Sequence, residues 1–132
     1  MLDLEPGLKG QAELLVGREH TAQSVGSGKV GVLATPVMIN VIEAAALAAV
    51  EEHLPAGHQS LGTYLEVSHV AATPVGMRVT AQAELVKVEG RLLHIRVSAR
   101  DEVEEIGSGM HHRIVVNVAR FDARVASKAA RL

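Results

Sequence analysis

The segment PVMINVIEAAALAAVE, residues 36–51, constrains the fold of this chain more than any other stretch. Nearly all of its side chains are apolar. It follows Thr35 and Pro36, which are favoured at a helix start because threonine caps a free N–H group and proline has none to lose. A Pro-Ala-Gly stretch ends the pattern. We predict a helix over residues 36–53, and such an apolar helix must be covered by other elements.

The segments after this helix alternate between apolar and polar residues, as β-strands do. In RLLHIRVSARD, Leu93, Ile95 and Val97 share one face and His94, Arg96 and Ser98 the other. Turn residues such as Glu89-Gly90 separate the segments. A glycine- and serine-rich loop is expected before the helix, at residues 21–34. Strands are predicted at residues 10–20, 60–72, 77–89, 91–101 and 111–125.

Strands joined by tight turns form an antiparallel sheet, and a sheet is the one element available to cover the helix. The predicted class is therefore α+β. A hotdog fold, in which a five-stranded antiparallel sheet wraps around one long central helix, fits this pattern, although the pattern alone does not select it. Because no linker or repeat divides the chain, residues 1–132 are predicted to form one domain with a loose tail at residues 126–132.

Composition excludes several classes of function. The chain has 13 basic and 15 acidic residues, and its aromatic content is 2%, so a nucleic-acid-binding surface is not expected. There is no cysteine, and the adjacent His111 and His112 would point to opposite faces of a strand, so we expect no metal site. The sequence GSGK lacks the full spacing of a phosphate-binding loop, and no G-x-S-x-G motif is present.

The N-terminal sequence MLDLEPGLKG lacks the basic start and apolar stretch of a signal peptide. The longest apolar run, residues 36–50, is interrupted by Asn40 and Glu43 and is too short to span a bilayer. We therefore expect a cytoplasmic protein that does not insert into membranes.

Two polar residues stand out as candidates for a site. Glu43 shares one helical stripe with Asn40, Leu47 and Glu51, and this stripe is either a solvated face or part of a functional site. A carboxylate among so many apolar side chains needs a cationic or hydrogen-bonding partner, for which histidine or arginine is the natural choice. His69 lies near the end of a predicted strand, where a histidine is more often a surface residue.

Four segments together resemble the hotdog-fold acyl-CoA thioesterases similar to fluoroacetyl-CoA thioesterase, over about residues 10–125: LATPVMINVIEAAA, SLGTYLEVSHVAATPVG, VEGRLLHIRVSARDEVEEIGSG and HHRIVVNVARF. The resemblance implies a catalytic set of Thr35, Glu43 and His69. It also implies that Gly62 and Arg113 serve substrate binding. It further implies a homodimer that binds acyl-CoA near the subunit interface, with the CoA thioester as substrate and no cofactor. Whether dimers pair into tetramers stays open.

Thioester hydrolysis needs an activated nucleophile, a donor to the developing oxyanion and a proton for the thiolate. On this resemblance, His69 transfers protons, while Glu43 either activates water or attacks the carbonyl. Thr35 positions Glu43 or the water. The N–H group of Gly62 is the expected oxyanion donor, and Arg113 contacts a CoA phosphate or pairs with a carboxylate.

One segment departs from the family pattern. In fluoroacetyl-specific members, aromatic side chains before the LATP-like segment shape the acyl pocket, but here that stretch is SVGSGKVGV, without an aromatic residue. We therefore expect another short or medium acyl group. Two alternative functions are a non-catalytic acyl-CoA-binding module and an enoyl-CoA hydratase, although no aspartate lies between Asp3 and Asp101 to serve in a hydratase. A purely structural dimer would leave Glu43 fully solvated.

Overall fold

The computed structural model describes residues 2–132. The strands are β1 (Lys9–Leu15), β2 (His58–Val67), β3 (Arg78–Glu89), β4 (Leu92–Arg100) and β5 (Glu105–Asn117). The helices are α1 (Ala22–Val25), α2 (Thr35–Val50) and α3 (Val118–Ala129), with short 3-10 turns at Arg18–His20 and Glu51–His53.

The strands form one antiparallel sheet in the order β1-β3-β4-β5-β2, so β1 and β2 are its two edges. Helix α2 packs mainly on β1 and β3 and more lightly on β4. This is the α+β arrangement predicted from the sequence, with one long helix against a five-stranded sheet.

The inner face of the sheet and the inner face of α2 form the core. Along β4 the predicted alternation is confirmed, because Leu93, Ile95 and Val97 are buried while Arg96 and Arg100 are exposed. Helix α2 contributes Met38, Ile42, Ala45, Ala46, Ala49 and Val50. The many alanines have small side chains, so the backbone of the helix can come close to the sheet.

Gly10 on β1 is the point of closest approach between the helix and the sheet. A Cβ atom at this position would collide with the backbone of Ala45, Ala48 and Ala49. The backbone angle φ is not the constraint here. Only the absence of a side chain allows this strand to lie directly against α2.

The C-terminal part of the chain differs from the prediction of a strand at residues 111–125. Strand β5 already begins at Glu105, because the polar segment pairs with β4 on one side and β2 on the other. It ends at Asn117, whose side chain accepts a hydrogen bond from the N–H of Arg120 at 3.0 Å and caps α3. The predicted loose tail at residues 126–132 is therefore helical as far as Ala129.

The first strand is also shorter than the predicted range of residues 10–20. It ends at Leu15, and the 3-10 turn Arg18–His20 follows. The predicted loop at residues 21–34 contains the short helix α1, which Thr21 caps by accepting a hydrogen bond from the N–H of Ser24.

Two loops meet at the start of α2 and are tied together by hydrogen bonds. The N–H of Leu33 donates to the carbonyl of Thr73 at 2.9 Å, and the Thr73 hydroxyl donates to Asp101 at 2.9 Å. Burial favours a raised pKa for Asp101, but hydrogen bonds from the N–H groups of Val103 and Glu104 and from Thr73 lower that pKa overall. An ionised, buried Asp101 thus anchors the loop that follows β2 beside the N-terminus of α2.

None of the helices within residues 2–132 has the length and apolar character needed to cross a membrane.

The substitution Gly10→Ala is expected to destabilise the protein by about 1–3 kcal/mol, because the added methyl group pushes the helix away from β1. The measurement is the free energy of unfolding from urea denaturation. Gly31→Ala is the matched control, since a Cβ at residue 31 would meet only the side-chain oxygen of Gln23, at 3.4 Å. Equal stability of the two variants would contradict the close approach described here.

Candidate active site

Glu43 lies on the outer side of α2, and its side chain is 35% exposed. Its Oε2 atom is 3.3 Å from Nη1 of Arg113, which is buried at 5% exposure. The carboxylate is therefore half-buried and paired, as expected for a charge among apolar residues. The fully solvated Glu43 of the purely structural alternative is not what the structure shows.

Gly62 on β2 makes room for this carboxylate. A Cβ atom at residue 62 would lie 2.7 Å from Glu43 Oε2 and 3.1 Å from Cε1 of His111. Gly62 also pairs in register with Arg113 on β5, next to a bulge between Gly62 and Tyr64. The structure thus explains a glycine here by the space that Glu43 occupies.

Arg113 is enclosed by hydrogen-bond partners. Its Nε donates to the Ser60 hydroxyl at 2.8 Å, and its Nη2 donates to the Ser60 carbonyl at 3.0 Å. Its Nη1 lies 3.1 Å from Nε2 of His111 in addition to Glu43. Of the two predicted roles for Arg113, contact with a phosphate and pairing with a carboxylate, the geometry matches the second.

Thr35 and His69 form a second cluster at the N-terminal end of α2. The Thr35 hydroxyl and Nδ1 of His69 are 2.7 Å apart. The predicted capping role of Thr35 is wrong, because Ala34 occupies the N-cap position and makes no side-chain cap. The Thr35 hydroxyl instead forms a hydrogen bond with His69, which lies in the loop after β2. This tertiary contact takes the place of the local helix cap.

The other ring nitrogen of His69 has no partner. Nε2 is buried, and no polar atom within residues 2–132 bonds to it. Burial lowers the pKa of His69, so the ring is neutral at pH 7. A buried nitrogen without a partner costs free energy unless another molecule supplies one, which marks Nε2 as an atom that can exchange a proton with a ligand.

The two clusters are separate within one chain. The rise of about 1.5 Å per residue places Glu43 about 12 Å along the helix axis from Thr35. No hydrogen bond joins Glu43 to His69 in the part of the chain that the structure describes. A groove with a volume of about 870 Å³ lies on the outer face of the sheet around Gln82, Arg96 and Ser98, away from both clusters.

Ser60 and His111 were not predicted as members of the Glu43 cluster, and Glu51 was placed only on the helical stripe of Glu43. His111 and Arg113 lie on the inner face of β5, in the same alternating series as the buried Val115. That period of two in HHRIVV is a signal that could have placed the histidine beside the arginine. No signal in the sequence pairs Ser60 with Glu51, because the strand and the helix end meet only in the fold.

No group of three or more histidine, aspartate or glutamate side chains within residues 2–132 is arranged to hold a metal ion.

The family model described as fluoroacetyl-CoA-specific thioesterase matches residues 16–119 of this chain. The fluoroacetyl-CoA thioesterase of Streptantibioticus cattleyicolor is 50% identical over 97 residues, which cover 74% of this chain and 70% of that protein.

Solved structures give the same result. A fluoroacetyl-CoA thioesterase structure has a TM-score of 0.88 and 39% identity, covering 95% of this chain and 97% of that one. A thioesterase-superfamily protein from Thermus thermophilus has a TM-score of 0.91 and 29% identity, covering 99% of this chain and 97% of that one. The predicted hotdog fold and the predicted resemblance are both confirmed.

The imidazole of His69 is expected to titrate below its ordinary pKa of about 6.5, because burial disfavours the charged ring. The measurement is an NMR titration of the ring protons, assigned with a His69→Gln variant. A midpoint at or above 6.5 would contradict the buried environment.

The same shift has a consequence for stability. Below about pH 6.5 the unfolded chain takes up the proton before the folded one does, so the free energy of unfolding falls as the pH decreases toward the folded pKa. The loss between pH 7.5 and pH 5 should be larger in the wild type than in His69→Gln.

Proposed function

The chain belongs to the family of fluoroacetyl-CoA-specific thioesterases, and from this premise we propose that it hydrolyses an acyl-CoA thioester to the free acid and CoA through Thr35, Glu43 and His69. The CoA thioester is the substrate, and no cofactor takes part. The observation that carries the site assignment is the Thr35–His69 hydrogen bond, which leaves one buried ring nitrogen free for proton transfer.

His69 is suited to this role because its ring is neutral. The Thr35 hydroxyl orients the ring through Nδ1. Nε2 accepts a proton from the attacking water, and the imidazolium so formed then delivers that proton to the departing thiolate. Glu43 supplies the negative charge that activates water or attacks the thioester carbonyl. In the second route an acyl-glutamyl anhydride forms as the CoA thiolate leaves, and water then cleaves the anhydride.

We propose that the working unit is a homodimer. Apart from Glu43, the outward face of α2 carries no charge and consists of small or apolar residues with one asparagine: Ile39, Asn40, Ala44, Leu47 and Ala48. A solvated helix face normally carries charged residues, so this composition favours a packed face. The neighbouring edge strand β2 also exposes Leu61, Tyr64 and Leu65.

A twofold axis would unite the two clusters. If the α2 helices of two subunits pack antiparallel about a point midway between residues 35 and 43, Thr35 and His69 of one subunit face Glu43 of the partner subunit. This arrangement removes the separation of about 12 Å within one chain. Each dimer would then hold two complete sites, both at the interface.

The acyl group is expected to differ from fluoroacetate. The stretch SVGSGKVGV has no aromatic side chain, and the residues at 26–30 are all exposed. An aromatic wall over a very small acyl group is therefore missing from this part of the chain. We propose a short or medium acyl chain without fluorine selectivity.

The variants Glu43→Gln and His69→Ala are each expected to lower kcat by at least about 100-fold, since each removes a group that transfers protons or acts as nucleophile. Thiol release is measured with a thiol-trapping reagent over a panel from acetyl-CoA and fluoroacetyl-CoA to decanoyl-CoA. Glu52→Gln and His53→Ala, in the exposed 3-10 turn that follows the same helix, are matched controls.

The same assay separates the alternatives. Binding of acyl-CoA without thiol release would identify a binding module, and loss of enoyl absorbance without thiol release would identify a hydratase. Wild-type rates in both variants would refute the site assignment.

A mixed dimer that contains one Glu43→Gln subunit and one His69→Ala subunit is expected to have about half of the wild-type activity, because one of its two shared sites is intact. The subunits are co-expressed with different tags and purified as the mixed species. A mixed dimer of Thr35→Ala with His69→Ala is the control, since both of its sites are damaged. An inactive Glu43→Gln/His69→Ala dimer would show that each site lies within one chain.

A further inference from the structure

We propose that His111 is a positioning residue that fixes the guanidinium of Arg113 against Glu43, with Ser60 and Glu51 completing the support. This inference rests on the proposed role of Glu43. It assigns a function to a fully buried histidine that does not touch the substrate.

The hydrogen bonds of Arg113 leave this side chain no freedom to rotate. Nε and Nη2 donate to the hydroxyl and carbonyl of Ser60, and Nη1 lies between His111 and Glu43. A guanidinium has five N–H donors in a fixed plane, so three anchored nitrogens define its orientation. Because the group is buried and engaged on every nitrogen, it serves the carboxylate rather than a phosphate of the substrate.

The ring of His111 is held in one tautomer. Its Nδ1–H donates to the carbonyl of Tyr64 at 2.9 Å, which leaves the lone pair of Nε2 to accept from Nη1 of Arg113 at 3.1 Å. Burial lowers the pKa of His111, and the nearby positive charge of Arg113 lowers it further against the opposing effects of Tyr64 and Glu43. A protonated ring would turn an N–H toward the guanidinium, so the neutral form is the one that supports Arg113.

Ser60 and Glu51 fix the opposite side of the guanidinium. The Ser60 hydroxyl donates to Glu51 Oε2 at 2.7 Å while it accepts from Nε of Arg113, and the Ser60 N–H donates to Glu51 Oε1 at 2.8 Å. Glu51 follows α2 on the same stripe as Glu43. Glu51, at the end of the helix, therefore fixes Ser60, and Ser60 in turn fixes Arg113.

Glu43 is partly exposed, whereas His111, Arg113 and Ser60 of this network are buried. Its Oε2 is set by Arg113, whereas Oε1 accepts no hydrogen bond from residues 2–132. The network thus aims one carboxylate oxygen outward while the other is held. A displacement of the guanidinium would displace Glu43 by a similar amount, and misplacement of a catalytic group by about 1 Å is enough to slow a reaction about 100-fold.

Two substitutions of His111 separate its two hydrogen bonds. In His111→Gln the amide oxygen can replace Nε2 as the acceptor for Arg113. In His111→Asn the amide nitrogen can replace Nδ1 as the donor to Tyr64, but nothing is left for Arg113. We expect kcat to fall at least about tenfold in His111→Asn and to stay within about threefold of wild type in His111→Gln, with KM unchanged in both.

The result is controlled by one further variant, by the assay temperature and by a test of folding. His112→Asn, on the outer face of β5, should keep wild-type kcat. Rates are measured well below the melting temperature of each variant, with folding verified by circular dichroism. Equal kcat in His111→Asn and wild type would reduce His111 to a purely structural residue and overturn the proposal. A raised KM of His111→Asn for acyl-CoA, without a raised KM for acyl-pantetheine, would also overturn the proposal. Acyl-pantetheine has no phosphate, so this result would mean that Arg113 binds a phosphate of CoA.

The histidine tautomer gives a readout that does not depend on activity. Two-dimensional ¹⁵N NMR of the wild-type ring should show Nδ1 protonated and Nε2 unprotonated at pH 7. A ring protonated on Nε2 would refute the network even in an active enzyme. Absence of thiol release from every acyl-CoA, together with the Nδ1–H tautomer, would instead refute the proposed function and leave the network intact.

Discussion

The ion pair between Glu43 and Arg113 is the contact on which the candidate site depends. It joins the largely apolar helix α2 to β5, and the hydrogen bonds of Arg113 to Ser60 extend this connection to β2. Removing one partner of a buried ion pair costs about 3–5 kcal/mol, because the other charge is left without compensation. Here the arginine is buried and the carboxylate is half-exposed, so most of the desolvation cost falls on the arginine. Ser60 and His111 also form hydrogen bonds with that arginine. The fold thereby keeps a charged group at the surface in one orientation.

The exposed face of α2 connects this local chemistry with the proposed assembly. The residues that pack on the sheet are buried within one chain, but the opposite face has almost no charge and lies beside a free strand edge. Thr35 is exposed at the start of this helix, and Glu43 is partly exposed along it. One surface would therefore serve as interface and as site.

Much of this architecture could be predicted from the sequence. The apolar segment after Thr35-Pro36 predicted α2, and the alternation in RLLHIRVSARD predicted the buried face of β4. The errors lie at element ends and at helices α1 and α3, which were predicted as a loop and as a strand with a loose tail. Strand β5 begins earlier than predicted because its polar residues find partners on two neighbouring strands, and Asn117 ends it by capping α3. Local propensity does not include these pairings, and so it misplaces the boundaries.

The sequence by itself determined the residue types at the candidate site, the apolar character of the helix and the alternation of the strands, because these depend on neighbours within a few positions along the chain. Only the tertiary structure decided which groups meet. Thr35 bonds to His69 rather than capping its own helix, and His111 and Ser60 come to lie around Arg113. The Thr35–His69 and Ser60–Arg113 contacts join residues far apart in sequence, whereas His111 and Arg113 are close neighbours on one face of β5. The geometry of the distant contacts is set by strand register and by the close approach of α2 to the sheet at Gly10.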